Sequence, residues 1–338
     1  MLLLSKNSQL ILRHSKVFQT KKVFFSGNIQ DEFPLHLDTI STKINIQRYD
    51  DYINLKKKNI KNIKIYNNIL VSKEMIKNCN TIIYYWPKDK SEAKFQLMNI
   101  ISYFSIKTEI FIVGNNSSGV RSAPAILKKW IKLDKVDNAK HSILISGFIQ
   151  NKIVFMLENF FKIHIWKNLI IKSLPGVFGH KKIDPGSKLL ASTFSNQITG
   201  KVLDIGCGTG FLSASLLCSS PNAILTLVDN NIFALKCSYS TLDSNKLKGE
   251  IICSDLYSNI FKKFDLIISN PPLHYDLKMN FNIIEKIIRC SIKYLKSKGE
   301  LRFVTNSCFN YDGLLKKIFK KYRVLKKTNR YKVYQAFL

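Results

Sequence analysis

One stretch of this 338-residue chain restricts its fold more than any other: Val202-Leu203-Asp204-Ile205-Gly206-Cys207-Gly208-Thr209-Gly210. An apolar run of strand length enters the pattern D-x-G-x-G-x-G, and a helix-forming segment follows. The glycines let the backbone turn sharply and lie against a ligand, and the start of the next helix presents free N–H groups. The strict alternation of glycines differs from the dehydrogenase spacing G-x-G-x-x-G. A second acid, Asp229, closes the next apolar run and is followed by Asn230. An acid there can accept both hydroxyls of a ribose.

The surrounding text alternates in the manner of an α/β sheet. Strands are expected at 201–205, 223–228, 250–253, 264–269, 300–305 and 331–337. Helices are expected at 209–219, 232–242, 283–295 and 313–319. Such alternation specifies a doubly wound, mostly parallel sheet, here with an antiparallel closing strand. The punctuation Pro175, Gly176, Gly179, Pro185 and Gly186 sets this half off, and the boundary is placed near Asn168, giving domains 1–168 and 169–338. The first half repeats the texture distantly. Thr81 to Pro87, the segment 93–104 and the segment 109–114 parallel Asp265 to Pro272, 283–295 and 300–305. No glycine-rich nucleotide loop occurs in residues 1–169. The expectation is a duplicated α/β fold whose first copy has lost its chemistry.

Composition excludes several classes. Hydrophobic residues make up 46%, enough for real cores, so a disordered polycation is ruled out. The seven cysteines are scattered without a C-x-x-C, which argues against a zinc site and a disulfide framework and for a reducing, cytoplasmic setting. The apolar start is cut short by Ser5, Lys6 and Asn7, so no signal peptide is expected. The charge-free run from Ile205 to Val228 is interrupted by glycines, Pro221 and serines, so it reads as strand, turn and helix and not as a membrane span. The net charge is +30, divided evenly at +15 per half. A basic surface suits nucleic acid. The excess is nearly all Lys, with only seven Arg, and an AT-rich genome would write the same bias.

Two further motifs carry chemistry: Ser254-Asp255-Leu256 just after a strand, and Ile267-Ile268-Ser269-Asn270-Pro271-Pro272-Leu273-His274. Prolines stop the second strand. With D-x-G-x-G-x-G, these resemble the class I S-adenosylmethionine methyltransferases. That resemblance implies roles. Asp204 would sit near the cationic amino-acid end of the cofactor, together with Gly206, Gly208 and Gly210. Asp229 and Asn230 would lie at the ribose, and Asp255 and Leu256 at the adenine. N-P-P would lie beside the sulfonium and serve methylation of planar nitrogens. The Asn270 side-chain oxygen and the Pro271 carbonyl would each accept one N–H of an NH₂ group and aim its lone pair at the methyl carbon. Catalysis would be orientation and electrostatics.

A more specific resemblance spans residues 80–338. The matching text includes Leu174-Pro-Gly-Val-Phe178, Asp184 with Gly186-Ser187, the D-I-G-C-G-T-G loop, Ser269 to His274, Gly299 to Arg302, Ile83 to Lys88 and Ser118 to Ser122. The chain resembles the bacterial 16S rRNA guanine-N2 methyltransferases of the small ribosomal subunit, the guanine-1207 type. This implies two tandem Rossmann-like, methyltransferase-like domains. The first would be degenerate and would bind or support RNA, and the second catalytic. It implies S-adenosyl-L-methionine as cofactor, 16S rRNA in the small subunit as partner, no metal and no membrane, with a monomer expected. Phe178 falls in the segment that covers the cofactor in relatives; its alternative is a plain core aromatic. One departure stands out: Leu273 occupies the place where an aromatic stacks on the flipped base, so His274 or Tyr275 would have to supply that face.

The basic run Lys316, Lys317, Lys320, Lys321, Arg323, Lys326, Lys327, Arg330 and Lys332 is expected on one helical face toward RNA, with a solvated helix face as the bland reading. Arg121, Lys128 and Lys129 are further candidates. His180 has no partner visible in sequence and reads as structural. Three rivals remain: methylation of a protein glutamine amide, methylation of DNA adenine N6, and a non-catalytic ribosome-assembly factor. The basic surface and the duplicated half oppose the first, and the intact loop with N-P-P opposes the last.

Overall fold

Neighbouring residues on the central strands feed opposite layers, so each strand reads as a continuous apolar run. Val202, Leu266 and Ile268 join one buried cluster, while Leu203, Ile205 and Ile267 join the other. The computed structural model describes residues 4–271 and 277–338, the side chains of 277–282 excepted. The chain divides into two compact units, Met1–Phe160 and Phe161–Leu338.

The first unit contains strands β1 (Lys22–Gly27), β2 (Ser41–Asn45), β3 (Ile63–Tyr66), β4 (Thr81–Tyr85), β5 (Glu109–Asn115), β6 (Ile131–Ala139) and β7 (Ser142–Ile149). Its helices are α1 (Lys6–Leu12), α2 (Tyr49–Lys56), α3 (Lys73–Ile76), α4 (Lys90–Tyr103) and α5 (Ala123–Leu127). The sheet order is β3-β2-β1-β4-β5-β7-β6. The Lys/Asn-rich stretch 56–68 carries β3 at the sheet edge.

The second unit opens with the hairpin β8 (Lys162–Trp166) and β9 (Leu169–Ser173), then helix α6 (Pro185–Ala191). Next come β10 (Gly200–Ile205), α7 (Phe211–Ser219), β11 (Ala223–Asp229), α8 (Ile232–Ser244), β12 (Glu250–Cys253) and β13 (Phe264–Ser269). The chain ends with α9 (Leu277–Tyr294), β14 (Leu295–Asn306), α10 (Asp312–Ile318), β15 (Lys321–Lys327) and β16 (Tyr331–Phe337). The order β12-β11-β10-β13-β14-β16-β15 repeats that of the first unit strand for strand. The duplicated α/β fold is thus present, and β16 runs antiparallel to β14 as expected for the closing strand.

The compact units divide after Phe160, ahead of the boundary placed near Asn168, and the β8–β9 hairpin goes with the second unit, where it is tied to α8. Asn245 accepts the Ile170 N–H at 2.9 Å and donates to its carbonyl at 2.7 Å, and Thr241 accepts the Lys172 N–H at 3.0 Å. A strand not among those expected from the sequence, β15, pairs antiparallel outside β16. Its lysines hid it from a pattern search, since both faces of an exposed edge can be polar.

Candidate active site

The site forms where β10 and β13 part at their carboxyl ends, the switch point at which open α/β sheets bind ligands. The loop after β10 turns away from β13. The N–H groups of Gly206 and Cys207 both donate to the Val228 carbonyl, at 2.9 and 3.0 Å. Ser269, fully buried, donates its Oγ to the Ile205 carbonyl at 2.8 Å and fixes the strand ends at the point of divergence. Gly206 has φ +70°, and a Cβ there would meet no atom within 4 Å. The loop therefore offers an open, side-chain-free cradle. Its far end is packed tightly: at Gly210 (φ +73°) a Cβ would stand 2.9 Å from the Ser238 Cα of α8.

A cleft opens over this loop, walled by Phe178, Asp184, Ser187, Gly206, Gly208 and Asn270 among others. The structure thus brings together the glycine loop, the Phe178 segment and the N-P-P strand end. Phe178 is 41% exposed, so it is a wall aromatic and not a core one. The turn that carries it is held by His180, whose Nδ1 lies 3.0 Å from Ser173 Oγ and 3.2 Å from the Ser173 carbonyl.

The acids take distinct places. Asp204 lies beneath the loop, fully buried, with Oδ2 accepting from Ser213 Oγ at 2.6 Å and Oδ1 without a hydrogen-bond partner. It is not on the cleft wall, so its influence on a ligand passes through the loop. Burial pushes its carboxyl up to about 7, with the Asp229 charge adding to the rise against the Ser213 hydrogen bond. Asp229 is half-buried and held by two backbone donors: Oδ2 accepts the Gly208 N–H at 3.0 Å and Oδ1 the Asn231 N–H at 2.8 Å. Asn230 is half-buried beside it. Asp255 is paired at 3.4 Å with Lys286 of α9. Its neighbour Leu256 sits at φ +51°, a left-handed conformation unfavourable for a branched side chain. The turn is knit by Ser254, which donates Oγ to the Leu256 carbonyl at 3.0 Å and accepts the Asn259 N–H at 3.0 Å.

Asn270 is 7% exposed at the end of β13. Its Nδ2 donates to Asp184 Oδ2 at 2.9 Å and to Ser187 Oγ at 2.6 Å. Both partners come from the start of α6, where Asp184 also caps the helix by accepting the Ser187 N–H at 2.8 Å. In the sequence Asp184 and Ser187 stand as family text without a role; the helix-start pattern Asp-Pro-Gly-Ser is the signal that could have found them. Pro271 is buried next to Asn270. Pro272, Leu273, His274 and Tyr275 lie outside the described residues, as therefore does the expected base-stacking face.

The basic run does not form one helical face. Lys316 and Lys317 belong to α10, Lys320 follows it, and Lys321, Arg323, Lys326 and Lys327 lie on the edge strand β15. The helix ends because Phe319 turns extended and buries its ring. These residues and Arg330 are exposed, and Arg323 Nε donates to Gln335 at 2.7 Å. Lys332 is the exception: it lies on β16, buried, with Nζ 5.0 Å from the centre of the Tyr334 ring, so it is not part of the exposed basic surface. Arg121, Lys128 and Lys129 of the first unit are exposed as well. Among the described residues, no group of three or more His, Cys, Asp or Glu could hold a metal, and no helix is long and apolar enough to cross a membrane.

The open cradle at Gly206, the oriented carboxylate of Asp229 and the buried carboxylate of Asp204 with its unpartnered Oδ1 fit a nucleoside that carries a positive charge. Comparison with known proteins agrees. The family model for the methyltransferase small domain matches residues 168–335, and that for its N-terminal companion domain matches residues 8–164. The ribosomal RNA small subunit methyltransferase C of Buchnera aphidicola subsp. Acyrthosiphon pisum (strain APS) is 72% identical over 336 residues, covering 99% of each chain. The protein of that name from Escherichia coli (strain K12) is 38% identical over 331 residues, covering 98% of this chain and 96% of its own. A solved T. thermophilus 16S rRNA N2 G1207 methyltransferase in complex with AdoMet and guanosine shares the fold, with TM-score 0.81 at 17% identity over 99% of this chain and 92% of its own. With a full-length relative at such identity and a cleft built from the glycine loop and the N-P-P strand end, the chain belongs to the ribosomal RNA small subunit methyltransferase C family.

Proposed function

We propose that this chain methylates the exocyclic N2 amine of a guanine in 16S rRNA, guanine 1207 by its family, using S-adenosyl-L-methionine, within the small ribosomal subunit of the bacterial cytoplasm. One observation carries the reading: Asn270 shares a single cleft with the glycine loop, so a planar amine held by Asn270 meets whatever the loop binds.

The second unit supplies the site. Gly206, Gly208 and Gly210 shape the cradle, and Asp204 places negative charge behind it. Asp229 with Asn230 takes the ribose, Asp255 and Leu256 face the adenine, and Phe178 closes the cleft. Bound S-adenosylmethionine supplies a methyl group made electrophilic by its sulfonium. The guanine amine is a poor nucleophile because its lone pair is delocalised into the ring. Asn270 Oδ1 and the Pro271 carbonyl each accept one N–H, which turns the amine so that its lone pair points along the transfer direction. Orientation of this kind is worth several kcal/mol, about 7–11 in the best intramolecular cases. The amine proton becomes acidic once the N–C bond forms and leaves to solvent, so no strong base is required.

The target base must leave its stack, at a cost of a few kcal/mol that is smallest for an unpaired base. The exposed lysines and arginines of α10, β15 and Arg330 would hold the phosphates around it. The first unit supports or binds RNA and holds no cofactor, because its own switch point is closed: the Asn28 N–H donates to the Tyr85 carbonyl at 2.8 Å, so β4 stays bonded past the end of β1. Trp86, buried, occupies the place that Asn270 holds in the second unit.

The test is transfer of labelled methyl from S-adenosylmethionine to small subunits that lack the modification, followed by mapping of the product. N2-methylguanine in 16S rRNA is expected. Label on a protein glutamine, on DNA adenine, or nowhere would overturn the reading.

A further inference from the structure

We propose that Asp184 is the positioning residue of the reaction, fixing which way the Asn270 amide faces; the inference rests on the methyl-transfer reading above. An asparagine amide has two ends of nearly equal shape and opposite chemistry. Only its oxygen can accept the N–H of a substrate amine. Turned over, it would present a donor to a donor and repel the substrate. Something must therefore choose the orientation.

The choice is made at the start of α6. The Asp184 carboxylate can only accept, so the end of the amide facing it must be Nδ2, and that bond is 2.9 Å. Ser187 Oγ takes a second hydrogen bond from the same nitrogen at 2.6 Å. Both N–H groups of Nδ2 are thereby used, and Oδ1 makes no hydrogen bond among the described residues. Asp184 is itself held, since its Oδ2 accepts the Ser187 N–H at 2.8 Å as the helix cap. Gly186 keeps this corner clear: a Cβ there would stand 2.9 Å from Asp184 Oδ2 and 3.0 Å from the Tyr331 ring. A charge-assisted bond of this kind is roughly twice as strong as a neutral one, so the amide is pinned and not merely biased.

Capping alone would not require an aspartate. Serine caps as well as aspartate, but its hydroxyl is too short to reach Asn270. Asp184→Ser therefore separates the two roles. With the wild-type enzyme active on small subunits, D184S is expected to lose about 100-fold in kcat, while KM for RNA and the Kd for S-adenosylmethionine stay within about threefold. Its melting temperature should stay close to that of the wild type.

A reciprocal exchange gives the second test. Asn270→Asp alone sets two carboxylates against each other. Combined with Asp184→Asn it restores one donor facing one acceptor, with an oxygen still presented to the substrate. The exchanged protein should recover at least about tenfold in kcat over N270D. Three results would overturn the proposal: D184S with wild-type kcat, D184S losing cofactor affinity and thermal stability in step with activity, or an exchanged protein no faster than N270D. A wild-type enzyme that transfers no methyl to RNA would instead overturn the function on which the proposal rests.

Discussion

Asp229 accepts the backbone N–H of Gly208 at 3.0 Å, so the end of β11 and the middle of the glycine loop are one hydrogen-bonded unit. Removing this carboxylate loosens the cradle and, on the proposed reading, deletes the ribose acceptor with it. Asp229→Ala is expected to raise the Kd for S-adenosylmethionine by about 10- to 100-fold, as for loss of hydrogen bonds to a charged group. Calorimetric titration checks this, and unchanged affinity would refute the ribose assignment.

Asn270 touches the substrate amine in the proposed reaction and has no role in closing the loop. Asn270→Ala should lower kcat by about 100- to 1,000-fold, the usual loss on removing one preorganised polar group at a reacting centre. Cofactor affinity should stay nearly intact. Single-turnover transfer and equilibrium binding separate the two quantities, and a fully active variant would sink the mechanism.

Asp204 makes stability depend on pH. Its carboxyl stands near 3.8 when unfolded and is pushed up to about 7 by burial. The native state therefore holds the proton more tightly, and the contribution to stability is fully present below pH 3.8 and lost as pH rises through 7. Asp204→Asn keeps an acceptor for Ser213 and removes the titration. Without cofactor the variant should be more stable than the wild type at pH 8, by on the order of 1 kcal/mol or more, with the advantage vanishing toward pH 4. Its affinity for the cationic cofactor should fall. Melting curves across this range decide the matter, and parallel pH profiles for both proteins would refute it.

For the basic surface, the informative quantity is a slope. Replacing Lys316, Lys317, Lys320 and Lys321 by Gln should make log Kd for RNA depend less steeply on log salt, by about 0.7–0.9 for every phosphate that is no longer neutralised. An unchanged slope would mark these lysines as solvated side chains that merely protect the sheet edge.

Much of the site is legible in the sequence. The D-x-G-x-G-x-G loop and the strand-terminal Asp229 have local causes, in glycine conformations and strand length, so their text suffices. The same holds for Asn270, whose prolines end the strand. The depth of Asp204 is not legible, because a charged residue beside a ligand loop gives no sign of which side of the loop it faces. Nor is the partnership of Asp184 with Asn270, which joins residues 86 positions apart in sequence. The strand β15 escapes because lysine density reads as solvated helix when the edge position of a sheet is unknown.

The closed switch point of the first unit has a consequence for how such a chain can change. Restoring an asparagine at Trp86 would return one side chain and leave the ligand nowhere to enter, since the strands remain bonded at Asn28 and Tyr85. Reopening the gap without a glycine loop would expose backbone groups with nothing to bind. On the proposed reading neither step alone rebuilds a cofactor site, so two separate changes would have to coincide to give this copy a working one.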